Sequence, residues 1–293
     1  MSGSALRRGA ATGALVLLLG ACTGSEAGRA PEGSPAPRPE GPAAVVLKVE
    51  EVGGYVPAAY AVARLPTVTV YSDGRVLTRA PGPAQFPEPA ITALQVHRVD
   101  REGLRELVEL AVEAGVTESG DLGAPSVTDL PDTRFELHAG AHDATRQVYA
   151  LGIGSGPDRD GRYGLTPEQA DARERLSRLI EQVQDLPTGL EAGEVSGPEP
   201  YAADAVAAVA SEYVEPVDDQ PRDQAWPGPP LGAGDPGVAE CVLVTGDQVS
   251  TVLAAAASAT DRTPWTTADG RRWSVLLRPL LPHESGCDDL PRG

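Results

Sequence analysis

Two Asp-Gly dipeptides, Asp73-Gly74 and Asp269-Gly270, each lie between runs of β-branched and aromatic residues. Such a pair tolerates the positive φ angles of a type I′ turn, so each predicts the tip of an antiparallel hairpin. With helical stripes interposed, the pattern predicts an α+β chain of two small domains, each of antiparallel hairpins packed on one or two helices.

The first domain is expected over residues 43–187. An apolar strand spans 45–52 and a second strand 94–99. Asp100 then caps a helix whose stripe is Leu104, Leu107, Val108 and Ala111, stopped by Gly115. Its other face carries Glu102, Glu106, Glu109 and Glu113, a solvated pattern. "TRFELHAG" and "TRQVYALG" predict a further hairpin, and Thr166-Pro167-Glu168-Gln169 a capping box opening a helix with Leu176, Leu179, Ile180 and Val183 along one face. Residues 188–200 read as a linker. The second domain, 201–293, begins with a weak apolar segment at 205–214 and a Pro-rich loop around Trp226. "VAECVLVT" is a strand, Thr245-Gly246-Asp247-Gln248 a second capping box, and Val249, Val252, Leu253 and Ala256 a helical stripe. The helix-to-turn spacings of the two halves differ too much for a duplication.

Assuming two-residue turns, Val68, Val70 and Leu77 share one face of the first hairpin, and Thr69, Tyr71, Val76 and Thr78 the other. The same assumption sends Trp265 and Trp273 to opposite faces of theirs, where they form no common stacking surface. With three Trp, seven Tyr and two Phe in 293 residues, a broad carbohydrate groove is not expected.

The N-terminus has the layout of an export signal over residues 1–21: Arg7 and Arg8, an apolar run at 10–19, then small residues. About ten apolar residues are too few to cross a membrane, which takes roughly 20. The run closes on Leu19, Gly20, Ala21 and Cys22, a quartet that resembles the lipobox of bacterial lipoproteins, whose cysteine receives a diacylglycerol. Residues 22–42 then form the attachment point and a Pro/Gly tether without large apolar side chains, which cannot fold alone. Twenty such residues reach at most about 60 Å at ~3.1 Å each. Cys241 and Cys287 bracket the compact part of the second domain and are expected to pair in an exported chain.

Charge narrows the partners. The chain carries 24 basic and 42 acidic residues, and residues 1–21 hold two of the arginines and no acid; what remains is 22 against 42, or −20. That surface repels phosphate backbones and anionic headgroups, which opposes nucleic-acid binding and leaves lipid as the means of attachment. Lys48 is the only lysine, and "VVLKVEEV" is strand-like where a phosphate loop needs glycines.

No catalytic or metal-binding set emerges. "DRDGRYGLTPEQ" begins like a calcium loop at Asp158 and Asp160, but Arg162, Tyr163 and Gln169 stand where an oxygen ligand, a glycine and a bidentate Glu belong. His138 and His142 flank a turn with Glu136 nearby, while His97 and His283 lie in distant segments, so three or four converging zinc ligands are lacking. Ser155 in "GIGSGP" lacks the outer glycines of a nucleophile elbow. No cofactor is expected.

The lipobox, "GGYVPAAYAVARLPTVTVYSDGRV" and "TGDQVSTVLAAAASATDRTPWTTADGRRWSVLLRPLLP" together resemble exported lipoproteins of high-GC Gram-positive bacteria. The resemblance brings no activity with it. It implies a protein anchored by acyl chains, palmitate among them, on the extracytoplasmic face of the cell membrane. The function expected is non-catalytic binding of an envelope protein or cell-wall ligand; the alternative is an envelope hydrolase whose acids or histidines converge only in the fold.

Overall fold

Val45–Val52 forms β1, bounded as the apolar run suggests, and a short helix α1 (Ala58–Ala63) follows it. Next come β2 (Val68–Tyr71) and β3 (Arg75–Arg79), joined at Asp73-Gly74. Val70 pairs with Val76, so the turn holds three residues, Ser72, Asp73 and Gly74, and not two. Gly74 N–H donates to Tyr71 O at 3.0 Å with Gly74 at φ +82°, the αL position of a three-residue loop. A side chain there is barred twice, because a Cβ would also lie 2.2 Å from the Val99 carbonyl oxygen. One added turn residue reverses half of the expected facing. Val68, Val70 and Val76 share one core face, while Tyr71 and Leu77 pack on the other.

The computed structural model describes residues 43–82, 86–153, 163–191, 193–216, 221–232 and 239–291. After β4 (Leu94–Val99), Asp100 caps α2 (Arg101–Glu113), its carboxylate accepting from Gly103 N–H at 2.9 Å. Leu107 and Ala111 are buried and Gly115 ends the helix at φ +91°. On the outer face Arg105 pairs with both Glu102 and Glu109. The hairpin β5 (Asp132–Ala139) and β6 (His142–Tyr149) turns through Gly140-Ala141. Then α3 (Pro167–Gln184) opens with the reciprocal Thr166–Gln169 capping box and buries Leu176, Leu179 and Val183.

The segment 188–200, expected as a linker, is structured. It begins within the single turn α4 (Leu186–Gly189) and ends in β7 (Val195–Pro200), which pairs antiparallel with β4. These strands make one antiparallel sheet in the order β6-β5-β1-β2-β3-β4-β7, with α2 and α3 packed on one face.

A second sheet follows. The weak apolar segment turns out to be its spine, β8 (Ala205–Glu212), with Val206 to Ala210 all 0–1% exposed. Alternating Val and Ala give a strand buried on both faces but carry little hydrophobic periodicity, hence the faint sequence signal. The other members are β9 (Gln224–Ala225), β10 (Glu240–Thr245), β11 (Pro264–Thr266) and β12 (Arg272–Pro279), in the order β10-β8-β12-β11-β9. Only β9–β11 is parallel. The helix α5 (Asp247–Ala256) covers one face through Val249, Val252 and Ala256. Its N-cap is Gly246, without a side-chain bond, so the capping box expected at Thr245 does not form. Thr245 is still in the ladder opposite Ala205, and a strand residue is not free to cap.

Asp269-Gly270 repeats the first turn. Thr267 N–H donates to Arg271 O at 3.0 Å and Gly270, at φ +81°, donates to Thr267 O at 2.9 Å. The loop again has three residues, which makes Trp265 and Trp273 direct cross-strand partners on one face, against expectation. Both are buried, with Trp226 edge-on to Trp265 at 5.5 Å, so their shared surface is core and not a platform.

The chain's last segment joins the sheets. Leu281 packs with Tyr71, Leu77, Leu94 and Val96 on the face of the first sheet opposite the helices, while Leu280 and Leu290 pack with Ala207 of the second. A Cys241–Cys287 disulfide fastens this segment to β10. Ahead of β4, Ala90 O accepts from Leu277 N–H, so the first half also runs along β12. The described residues from 43 to 291 belong to one compact α+β unit. Among the described residues, no helix is long and apolar enough to cross a membrane.

Candidate functional site

The outer face of the first sheet has an apolar patch of Tyr71, Leu77, Leu94 and Val96 on β2, β3 and β4, where Leu281 covers it, and is charged on β1 and β5. Strand register places Lys48 opposite Glu136 and Glu50 opposite Arg134. The four form a square of alternating charge. Lys48 Nζ lies 3.1 Å from Glu50 and 3.0 Å from Glu136, and Arg134 lies 3.5 and 3.8 Å from the same two carboxylates.

Beside this square a cleft of about 300 Å³ opens, walled by the loop 51–53, by Ala61, Arg64 and Pro66 from α1 and beyond, and by Arg278, His283, Glu284 and residues 289–291. Arg278 and Glu284 are its buried corner. Arg278 Nη1 and Nη2 donate to Glu284 at 2.6 and 2.7 Å, Arg278 Nε donates to Arg64 O at 3.2 Å, and Glu284 also accepts from Leu281 N–H at 2.8 Å. The sequence held one signal of this pair: an arginine inside the apolar run "SVLLRPLLP" is tolerated only with a buried partner.

His283 stands between the corner and the first sheet. Its Nδ1 lies 2.8 Å from the hydroxyl of Tyr71, which is fully buried. Assigning the buried hydroxyl as donor to Nδ1, its partner in the fold, places the imidazole hydrogen on Nε2. Burial holds the His283 pKa below its ordinary value, although Glu284 opposes the shift, and burial pushes the Tyr71 phenol well up. Tyr201, whose hydroxyl donates to Leu280 O at 2.8 Å, is pushed up to about 12 for the same reason. Asp289 at the rim is held low by two hydrogen bonds from Ser285.

The other residues singled out in the sequence do not join this cleft. His138 is hydrogen-bonded to Asp143 at 2.7 Å near the β5–β6 turn, where His142 is exposed; Glu136 belongs to the charge square. His97 is buried on the helix-covered face of β4, opposite Val76, with its Nδ1 unpartnered. Thr166 and Gln169 are spent on the α3 cap. Ser155, Asp158, Asp160 and Arg162 lie outside the described residues, as do Leu19, Gly20, Ala21 and Cys22. Among the described residues, no three His, Cys, Asp or Glu side chains converge to hold a metal ion.

Two histidines set an acid limit, His97 buried and His283 half-buried. Desolvation depresses both pKa values below the ordinary 6.5, so folding excludes protons that the unfolded chain binds. Their contribution is therefore complete above pH 6.5 and is lost as pH falls through 6.5 toward the folded values, at no more than about 1.4 kcal/mol per pH unit for each group. Urea midpoints should fall between pH 7.5 and 5.5, with a shallower fall in His97→Leu. Equal slopes for the two proteins would contradict this account of His97.

Comparison with protein families, with characterised proteins and with solved structures returns no match to this chain.

Proposed function

We propose that this chain is a lipid-anchored lipoprotein on the extracytoplasmic face of the cell membrane and that its folded body is a non-catalytic binding module for an envelope component. The cleft beside β1 and β5 is the ligand site. One observation carries the choice of binding over hydrolysis: among the described residues no Ser, Thr or Cys lines the cleft, and its inner acids and bases, Lys48, Glu50, Arg134, Arg278 and Glu284, are engaged with one another. Lys48 is clamped by two carboxylates, Glu284 by both terminal nitrogens of Arg278, and His283 Nδ1 by Tyr71. Such groups hold a fixed pattern of charge, whereas a general acid or base must exchange its proton with the substrate. The anchor rests on Leu19, Gly20, Ala21 and Cys22 with the tether behind them. Two or three acyl chains anchor stably where one does not.

Both halves are testable. Metabolic labelling with palmitate should mark the wild-type chain and miss Cys22→Ala; label on both proteins would remove the anchor. The full chain in detergent micelles should retain an envelope protein or cell-wall fragment through repeated washing without converting it. Turnover of an envelope substrate with nothing retained would favour the hydrolase.

A further inference from the structure

Three hydrogen-bond donors reach the cleft without a partner among the described residues. An ammonium has three N–H donors, and Lys48 faces two carboxylates, which leaves one. Arg64 spends Nη1 on Gly53 O at 3.1 Å and makes no ion pair with any described residue, so most of its five N–H groups are open. His283 Nε2 carries the hydrogen that Tyr71 excludes from Nδ1, and this nitrogen is not among the buried atoms left unsatisfied. The acceptors nearby are already occupied: Glu50 and Glu136 by Lys48 and Arg134, Glu284 by Arg278 and the Leu281 amide. The cleft therefore offers donors on a background of compensated charge.

We infer that the cleft binds a single carboxylate group, held between Lys48, Arg64 and the Nε2–H of His283. Arginine suits it as a planar fork matched to the two oxygens of a carboxylate. A doubly charged phosphate is disfavoured, because exposed Glu51 and Asp289 stand at the rim and the chain as a whole carries −18. A space of about 300 Å³ lies at the small end of ligand pockets, enough for the carboxylate and a short stem. The carboxylate can come from a peptide C-terminus or from a short aliphatic acid; the donors do not distinguish them, and the stem does. This inference rests on the cleft being the ligand site proposed above.

The test uses the full-length lipidated chain in detergent micelles and isothermal titration with N-acetyl-Ala-Ala, hexanoate, the amide of each, and inorganic phosphate. At least one of the two acids should bind saturably, its amide and phosphate should not, and Arg64→Gln should weaken the binding at least tenfold while Arg64→Lys recovers part of it. Thermal unfolding of the unliganded variants checks that Arg64→Gln is folded; its backbone carbonyl, the acceptor for Arg278, is unchanged. Binding of the peptide acid alone or of hexanoate alone supports the inference and names the source. Equal binding of acid and amide, phosphate binding as tightly as the carboxylate, indifference to Arg64→Gln, or no binding of either acid up to about 10 mM would each overturn it. The binding-module reading is judged separately by the envelope retention experiment, which such a failure leaves intact.

Discussion

Glu284→Ala is expected to lower the unfolding free energy by about 3–5 kcal/mol, measured by urea denaturation at neutral pH. The side chains of Arg278 and Glu284 are 1% and 4% exposed, so removing the carboxylate leaves a guanidinium in the interior with Arg64 O as its one remaining acceptor. The Leu281 amide also loses its acceptor. The cost comes from the stranded charge more than from the lost attraction, which separates two variants sharply. Arg278→Met with Glu284→Met strands no charge and should recover much of the deficit, leaving the smaller cost of two backbone groups without partners. A single variant within about 1 kcal/mol of wild type would mean that water reaches the pair.

Replacing Cys241 and Cys287 by serine should cost about 4 kcal/mol, the chain-entropy value for the loop that a separation of 46 residues closes. Here the bond also has a local task. Between β12 and the C-terminus the segment is anchored by Leu280, Leu281, the Arg278–Glu284 pair and the disulfide, and it supplies His283, Asp289 and Leu290 to the cleft. Without the disulfide the end of that segment is held by little besides Leu290. The double serine variant should unfold at lower urea and show faster proteolysis near residues 285–291. A loss below about 1 kcal/mol would place its stabilisation elsewhere. Combined with Glu284→Ala the losses should not add, because both changes release the same segment.

What could be read from the chain is what adjacent residues decide between themselves. Asp100 and Thr166 cap helices because the N–H groups they satisfy lie two or three residues away. The stripes of α2, α3 and α5 pack against the core as their periodicity requires, with Leu104, Val108, Ile180 and Leu253 only partly buried. β1 and β4 run between the expected ends, and Cys241 and Cys287 pair with each other. Thr245 shows the limit: its local pattern matches a capping box, yet the ladder with Ala205 claims it first.

The hairpins failed for a related reason. Asp-Gly serves a two-residue turn and equally the last two places of a three-residue turn, and only the pairing of Val70 with Val76 and of Trp265 with Trp273 decides which. That single residue determines whether each side chain faces core or solvent, because strand periodicity is two. β7 has no apolar alternation at all in "VSGPEP" and is a strand because β4 offers it an edge.

By itself the sequence determined the α+β class, the helices with their stripes, most strands, the bond between Cys241 and Cys287, and the expectation that the chain is anchored at Cys22. All of these follow from neighbours in the chain or from composition. Only the tertiary structure decided which faces are buried and that a cleft exists. Lys48, Arg134 and His283 come from β1, β5 and the C-terminal segment, and Tyr71 meets His283 across 212 residues. No periodicity spans such a distance; the two are brought together because the first sheet has an apolar half that the end of the chain must cover.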